Sequence, residues 1–148
     1  EAGATLFREA TCFGCHKMNG QGGAVGPELT DVLNRWKGDR TGILREILEP
    51  SYRIEPKYAV RIVVDNDGRS TTGIVTAEDT KSISILVNPE VPEPKVINKS
   101  DIDEIIPSPT SMMPKALLDK FSRDELLDIL AYITTSPTAP KEAAPDKD

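Results

Sequence analysis

Two cysteines and one histidine stand at C-x-x-C-H spacing in Cys12-Phe13-Gly14-Cys15-His16, near the start of a 148-residue chain. Two thiols at this separation reach the two vinyl groups of one porphyrin, and the adjacent imidazole then lies under the metal. The pattern is that of covalent c-type heme attachment. Cys12 and Cys15 are the expected thioether anchors, and His16 the expected axial nitrogen on the iron. Other uses of the same residues fall short. A structural zinc site needs four N or S ligands, usually as two separated pairs, and these three are the only Cys or His in the sequence. A thioredoxin-like pair sits where a strand opens a helix, whereas the residues before Cys12 read as helix.

A chain with one histidine cannot give two imidazoles to one iron, so methionine is the natural second ligand. Met18 lies two residues past His16, too close to carry its sulfur to the opposite face of the ring, and reads as local packing. Met112 and Met113 lie in Pro107-Ser108-Pro109-Thr110-Ser111-Met112-Met113-Pro114, whose prolines exclude helix and fix an extended loop. Pro114 holds the residue before it extended, which favours Met113 over Met112. If both methionines are only apolar cover for the heme, the iron keeps a position open to a small ligand.

The elements that must position these groups are legible from periodicity and capping. Residues 2–11 read as a short helix leading into the motif, with Leu6 and Phe7 on its apolar side. Asn19 to Pro27 is a glycine-rich loop; no Walker lysine and serine follow it, so phosphate binding has little support. Thr41 to Leu48 spaces Ile43, Leu44, Ile47 and Leu48 as a helix that stops before Pro50. Ser122-Arg123-Asp124-Glu125 is a capping box that opens a last helix, whose apolar face is Leu126, Leu127, Ile129, Leu130 and Ile133.

Between the two halves of the candidate site the pattern changes. Tyr58 to Val64 and Thr71 to Thr76 flank Asp65-Asn66-Asp67-Gly68 as a hairpin; Ser82 to Val87 alternates; Val96-Ile97 and Ile102 to Ile106 complete four or five short strands. That many strands with one apolar face form a compact unit, whereas a lone hairpin is marginal. The expected fold class is α+β: a mostly helical heme domain interrupted by a small antiparallel β insertion, for which an SH3-like or Sm-like barrel is the candidate form. The expected organisation is a discontinuous heme domain of residues 1–56 and 107–136, the β insertion over 57–106, and a disordered tail or linker over 137–148, rich in Pro, Ala and charge.

Composition narrows the partners. The formal net charge is −6, and heme carboxylates add to it, so nucleic acid and anionic membrane surfaces are poor partners and a cationic patch on a protein is a better one. The β stretch has no basic surplus and little aromatic content, which argues against RNA binding. No apolar run is long enough to span a bilayer. Trp36, with Arg35 and Arg53, offers donors suited to a heme carboxylate, as do Tyr52 and Tyr58, although ordinary packing or surface charge is the simpler explanation of each. Asp101 and Asp103 have no base, nucleophile or metal ligand beside them and read as solvated surface.

Taken together, these residues resemble the class I cytochrome c family. Gly3 and Phe7 on the first helix and Ile129 and Tyr132 on the last match its crossing of terminal helices. Gly26-Pro27 resembles its turn that supports the proximal histidine through a backbone carbonyl, and Met113-Pro114 its distal motif. A narrower resemblance runs the length of the chain: Cys-x-x-Cys-His, Gln21-Gly22-Gly23-x-x-Gly26-Pro27-x-Leu29, Ile47-Leu48-Glu49-Pro50-Ser51 and Ser111-Met112-Met113-Pro114. It is similar to a bacterial heme-binding-domain subfamily often found as a C-terminal module of larger, propeller-bearing dehydrogenase-like proteins.

The resemblance implies heme attachment outside the cytoplasm, hence a periplasmic protein met here as a mature or excised product. It also implies a non-enzymatic electron carrier between a dehydrogenase-type donor and an oxidase or cytochrome acceptor. The alternatives are a small-ligand sensor or weak peroxidase with a labile distal methionine, and a structural β module with a vestigial heme site.

Overall fold

The computed structural model describes residues 1–135; the tail expected over 137–148 lies outside the described residues. Helix α1 (Ala2–Glu9) and helix α4 (Arg123–Ile133) come from opposite ends of this stretch and pack against each other. Gly3 permits the contact: a Cβ there would collide with the Asp128 carbonyl oxygen and lie 2.7 Å from Tyr132 Cβ. One turn later Phe7 is fully buried, edge-on to Phe13 and Tyr132 with ring centroids 4.6 Å and 5.4 Å away. Such edge contacts add to the area term of aromatic burial.

The capping box is present at α4. Glu125 N–H donates to Ser122 Oγ, and Ser122 N–H donates to the Glu125 carboxylate at 2.7 Å. At the other end the hydroxyls of Thr134 and Thr135 donate back to the carbonyls of Leu130 and Ala131. Helix α3 (Arg40–Leu48) starts one residue before the expected Thr41 because Asp39 caps it, its carboxylate accepting from Gly42 N–H at 2.9 Å. Helix α2 (Val32–Arg35) is not among the elements expected from the sequence. Four residues are too few to show a helical period.

These helices enclose a core of Phe7, Ala10, Met18, Val32, Ile43, Leu118, Ile129 and Ile133, drawn from both ends of the sequence. Met18 is 1% exposed within it.

The middle of the chain is a five-stranded antiparallel sheet: β1 (Val60–Asp65), β2 (Ser70–Glu78), β3 (Ser82–Leu86), β4 (Lys95–Asn98) and β5 (Ile102–Pro107), in the order β4-β3-β2-β1-β5. The fold class is therefore α+β with a β insertion, in agreement with the sequence. The β1–β2 turn is held by Asp65, whose carboxylate accepts from the N–H groups of Asp67 and Arg69.

Although β4 and β5 are the two edges, only the 3-10 turn Lys99–Asp101 separates them. Four strand spacings of about 4.8 Å would set flat edges about 19 Å apart, beyond the roughly 14 Å that four residue steps can span. The sheet is therefore curled, as in a small barrel, with irregular register at Val64/Asp65 and Val75/Ala77. Its own core is Val63, Ile83 and Ile85, with Val75, Ile97 and Ile102 packed on it.

The chain enters and leaves the sheet at one place. Arg61 pairs with Pro107, and Ser108 N–H donates to the Val60 carbonyl at 2.9 Å. The segments before 60 and after 107 are thus brought together, so the sequence separating Cys12 from Met113 imposes no separation in space.

Candidate functional site

Thr11 ends α1 in the left-handed region, at φ +62°, and turns the chain into the 3-10 segment Cys12–Gly14. The Cys12 carbonyl accepts from the N–H groups of Cys15 (3.2 Å) and His16 (2.9 Å), so the motif closes as a single tight turn. The glycine-rich loop is laced back onto it. Gly23, Gly26 and Leu29 N–H groups donate to the carbonyls of Phe13, Cys15 and Lys17, each at 2.8 Å. Those donors are spent inside the protein, which removes the basis for an anion cradle.

The loop's main product is the orientation of His16. Its Nδ1 lies 2.7 Å from the Pro27 carbonyl oxygen. A carbonyl only accepts, so Nδ1 carries the proton and Nε2 keeps its lone pair free for a metal. Gly26 packs under the ring, where a Cβ would sit 2.6 Å from Cε1 and 2.9 Å from Nδ1. Burial pushes the His16 pKa below its ordinary value, against a smaller opposing effect of the Pro27 hydrogen bond. The imidazole is therefore neutral at pH 7, the form that ligates iron.

A cleft opens beside this ring, lined by Phe7, Cys12, His16, Leu29, Val32, Trp36, Ile43, Glu46, Ile47, Met113, Leu118, Ile129 and Ile133. The lining is apolar apart from His16, Glu46 and the polar edges of Cys12 and Trp36. Met113 lines the cleft and its neighbour Met112 does not. Burial raises the Cys12 thiol to about 11, with proximity to Cys15 adding a little and a backbone hydrogen bond opposing it. Burial also raises the Cys15 thiol. Both thiols are neutral at pH 7 and unpaired with each other. An apolar slot lined by Cys12, an oriented imidazole and Met113, with Cys15 in the adjoining turn, suits a flat, apolar, metal-bearing ring.

The residues considered for the ring's carboxylates separate. Trp36 lines the cleft, and the Arg53 guanidinium stands 5.1 Å from its ring centroid and 3.4 Å from the Glu46 carboxylate. Arg35 turns away and donates to the carbonyls of Glu28 and Thr30. Tyr52 lies exposed beneath Arg45, and Tyr58 beside Lys57. Glu46 is not among the residues the sequence singles out, although helical spacing sets it on the same stripe as Ile43 and Ile47. Leu118 carried no periodic signal, because it lies in the irregular stretch between Pro114 and Ser122. Among the described residues no group of three or more His, Cys, Asp or Glu could hold a further metal ion.

The family model described as Cytochrome c matches residues 1–85, more than half of the chain. The chain belongs to the cytochrome c family. It carries a covalently bound heme c with its iron and acts as an electron carrier. The match takes in the motif, the glycine loop and helices α1 to α3 and runs into β3; the Met113 loop and α4 of this cytochrome lie beyond it. No curated protein matches the chain. Cytochrome c domains are typically extracytoplasmic, and among the described residues no helix is long and apolar enough to cross a membrane.

Proposed function

We propose that this cytochrome holds its heme by thioether bonds from Cys12 and Cys15, ligates the iron with His16 and Met113, and passes single electrons between a dehydrogenase-type donor and a downstream acceptor. The observation that carries this reading is the pairing, on one apolar cleft, of a free His16 Nε2 with the Met113 thioether. Heme iron, once bound, supplies a one-electron couple. His16, held by Pro27 and packed against Gly26, keeps one ligand fixed and neutral, which limits rearrangement when the charge changes. Met113 supplies a soft sulfur that favours the ferrous state, and the walls of Phe7, Val32, Ile43 and Ile129 exclude water and disfavour the extra charge of ferric iron. Trp36 and Arg53 are the proposed partners of the heme carboxylates.

The domain division expected from the sequence, a heme unit of 1–56 and 107–136 around a β unit of 57–106, is supported by the two separate cores and the adjoining sheet ends. Most of the acidic excess lies in the sheet region. Residues 60–107 hold nine acidic and five basic side chains, against eight of each in residues 1–59, which supports a redox partner with a cationic face. Heme attachment to cysteines supports a periplasmic location, and the run of motifs from Cys12 to Pro114 supports membership of the heme-binding-domain subfamily that accompanies dehydrogenase-like modules.

The test is the absorption spectrum and carbon monoxide reactivity of the heme-loaded protein. A far-red ferric band typical of methionine-ligated heme, with slow CO binding by the ferrous form, is expected. Rapid CO binding without denaturant would instead identify a ligand-binding heme protein, either a sensor or a weak peroxidase.

A further inference from the structure

Ser51 ends the Ile47-Leu48-Glu49-Pro50-Ser51 stretch, a motif to which neither the heme attachment nor the axial ligands give a role. It follows the buried Pro50, in a turn closed by Tyr52 N–H donating to the Glu49 carbonyl at 2.9 Å. That turn continues directly from α3, whose Ile43, Glu46 and Ile47 form one wall of the cleft. From there the Ser51 Oγ accepts a hydrogen bond from Ser111 N–H at 2.9 Å, across sixty residues of sequence. The Ser111 Oγ in turn accepts from Met113 N–H at 3.2 Å.

We infer that Ser51 and Ser111 form a two-hydroxyl relay that positions Met113, with Ser51 tying the distal loop to the α3 wall; this rests on the reading of Met113 as axial ligand. The loop needs such a tie. Its prolines carry no N–H, and Ala116, three residues past Met113, adopts φ +70°, which is unfavourable for a residue with a Cβ. At the base of the loop Ser108 N–H is held by the Val60 carbonyl, and beyond it Lys120 Nζ reaches the Glu9 carbonyl at 3.1 Å. Between those two points, the hydrogen bond accepted by Ser51 ties the loop to the first 59 residues. Its loss frees Met113 to swing away from the cleft without unfolding the helices.

The experiment compares the heme-loaded wild type with Ser51→Ala, Ser111→Ala, Ser51→Thr, Met113→Ala and the capping control Ser122→Ala, reading the rate of CO binding to the ferrous form and amide exchange at Met113. Ser51→Ala and Ser111→Ala are each expected to speed CO binding about fivefold, the factor for a hydrogen bond worth about 1 kcal/mol, and to hasten exchange at Met113. The double variant should show less than the product of the two effects, because the bonds act in series. Ser51→Thr should restore the wild-type rate, and Ser122→Ala should leave it unchanged although it weakens α4. Unchanged CO binding in both serine variants, with Met113→Ala opening the iron, overturns the relay alone. Unchanged CO binding in Met113→Ala overturns the ligand reading, and the relay falls with it.

Discussion

The helical core and the sheet core of this cytochrome are assembled on different plans. The helical core gathers Phe7 and Ile43 from one end of the chain and Leu118, Ile129 and Ile133 from the other, around the apolar cleft. The sheet core takes Val63, Ile83 and Ile85 from one continuous stretch, in a sheet whose strands all lie between residues 60 and 107. A core with a slot through it lacks contacts that only a bound ring can supply, since packed interiors approach crystal density. The sheet needs no such filler. With the heme in that cleft, as proposed, it is a structural part of one region and external to the other.

Removing the heme should bring out this difference most strongly. In protein made without heme attachment, amide protection is expected to fall across α1, α3 and α4 while the strands of residues 60–107 keep theirs; equal loss in both would show that the sheet, too, depends on the filled cleft.

Truncations within each core come next. Phe7→Ala, at 0% exposure, should cost about 3–5 kcal/mol, and Ile85→Ala, also at 0%, about 2–5 kcal/mol. Only Phe7→Ala should disturb the heme spectrum. Denaturant melts followed by heme absorbance and by far-ultraviolet dichroism separate the two. Gly3→Ala gives a smaller but diagnostic effect. In an open helix alanine gains up to about 1 kcal/mol over glycine, whereas here the added methyl meets the Asp128 carbonyl and Tyr132, so a net loss of about 1–3 kcal/mol is expected.

The least effect should come from Lys99→Ala on the sheet. Glu78 and Lys99 pair at 2.8 Å on the surface, and hydrogen bonding to Lys99, with its charge, lowers the Glu78 pKa. A lowered folded-state pKa contributes stability that is present above the ordinary carboxylate range and lost as pH falls through the folded value. The variant should therefore differ from wild type only slightly at neutral pH and converge with it in acid; exposed pairs of this kind are weak.

The same contrast explains what the sequence discloses. Local signals were readable throughout. The capping box at Ser122, the helix before Pro50, the hairpin at Asp65–Gly68 and the alternation of Ser82 to Val87 each depend on a few adjacent residues. The heme motif was readable because two thiols and an imidazole must be close along the chain to serve one ring. Helix α2 was hidden because one turn has no period, and its residues are fixed by packing of Val32 rather than by propensity. Glu46 was hidden because its place on the cleft depends on what α3 faces. The tie between Ser51 and Ser111 was hidden for a different reason. Nothing in either segment announces a partner sixty residues away, and only the closing of β1 against β5 brings them together.

Ligation of the iron by Met113 is tested most directly by potentiometric titration of Met113→Ala and Met112→Ala beside the wild type, with CO binding recorded for each. Met113→Ala should lower the reduction potential, abolish the far-red ferric band and admit CO rapidly, while Met112→Ala leaves all three near wild type. A larger change in Met112→Ala, or none in Met113→Ala, would contradict it.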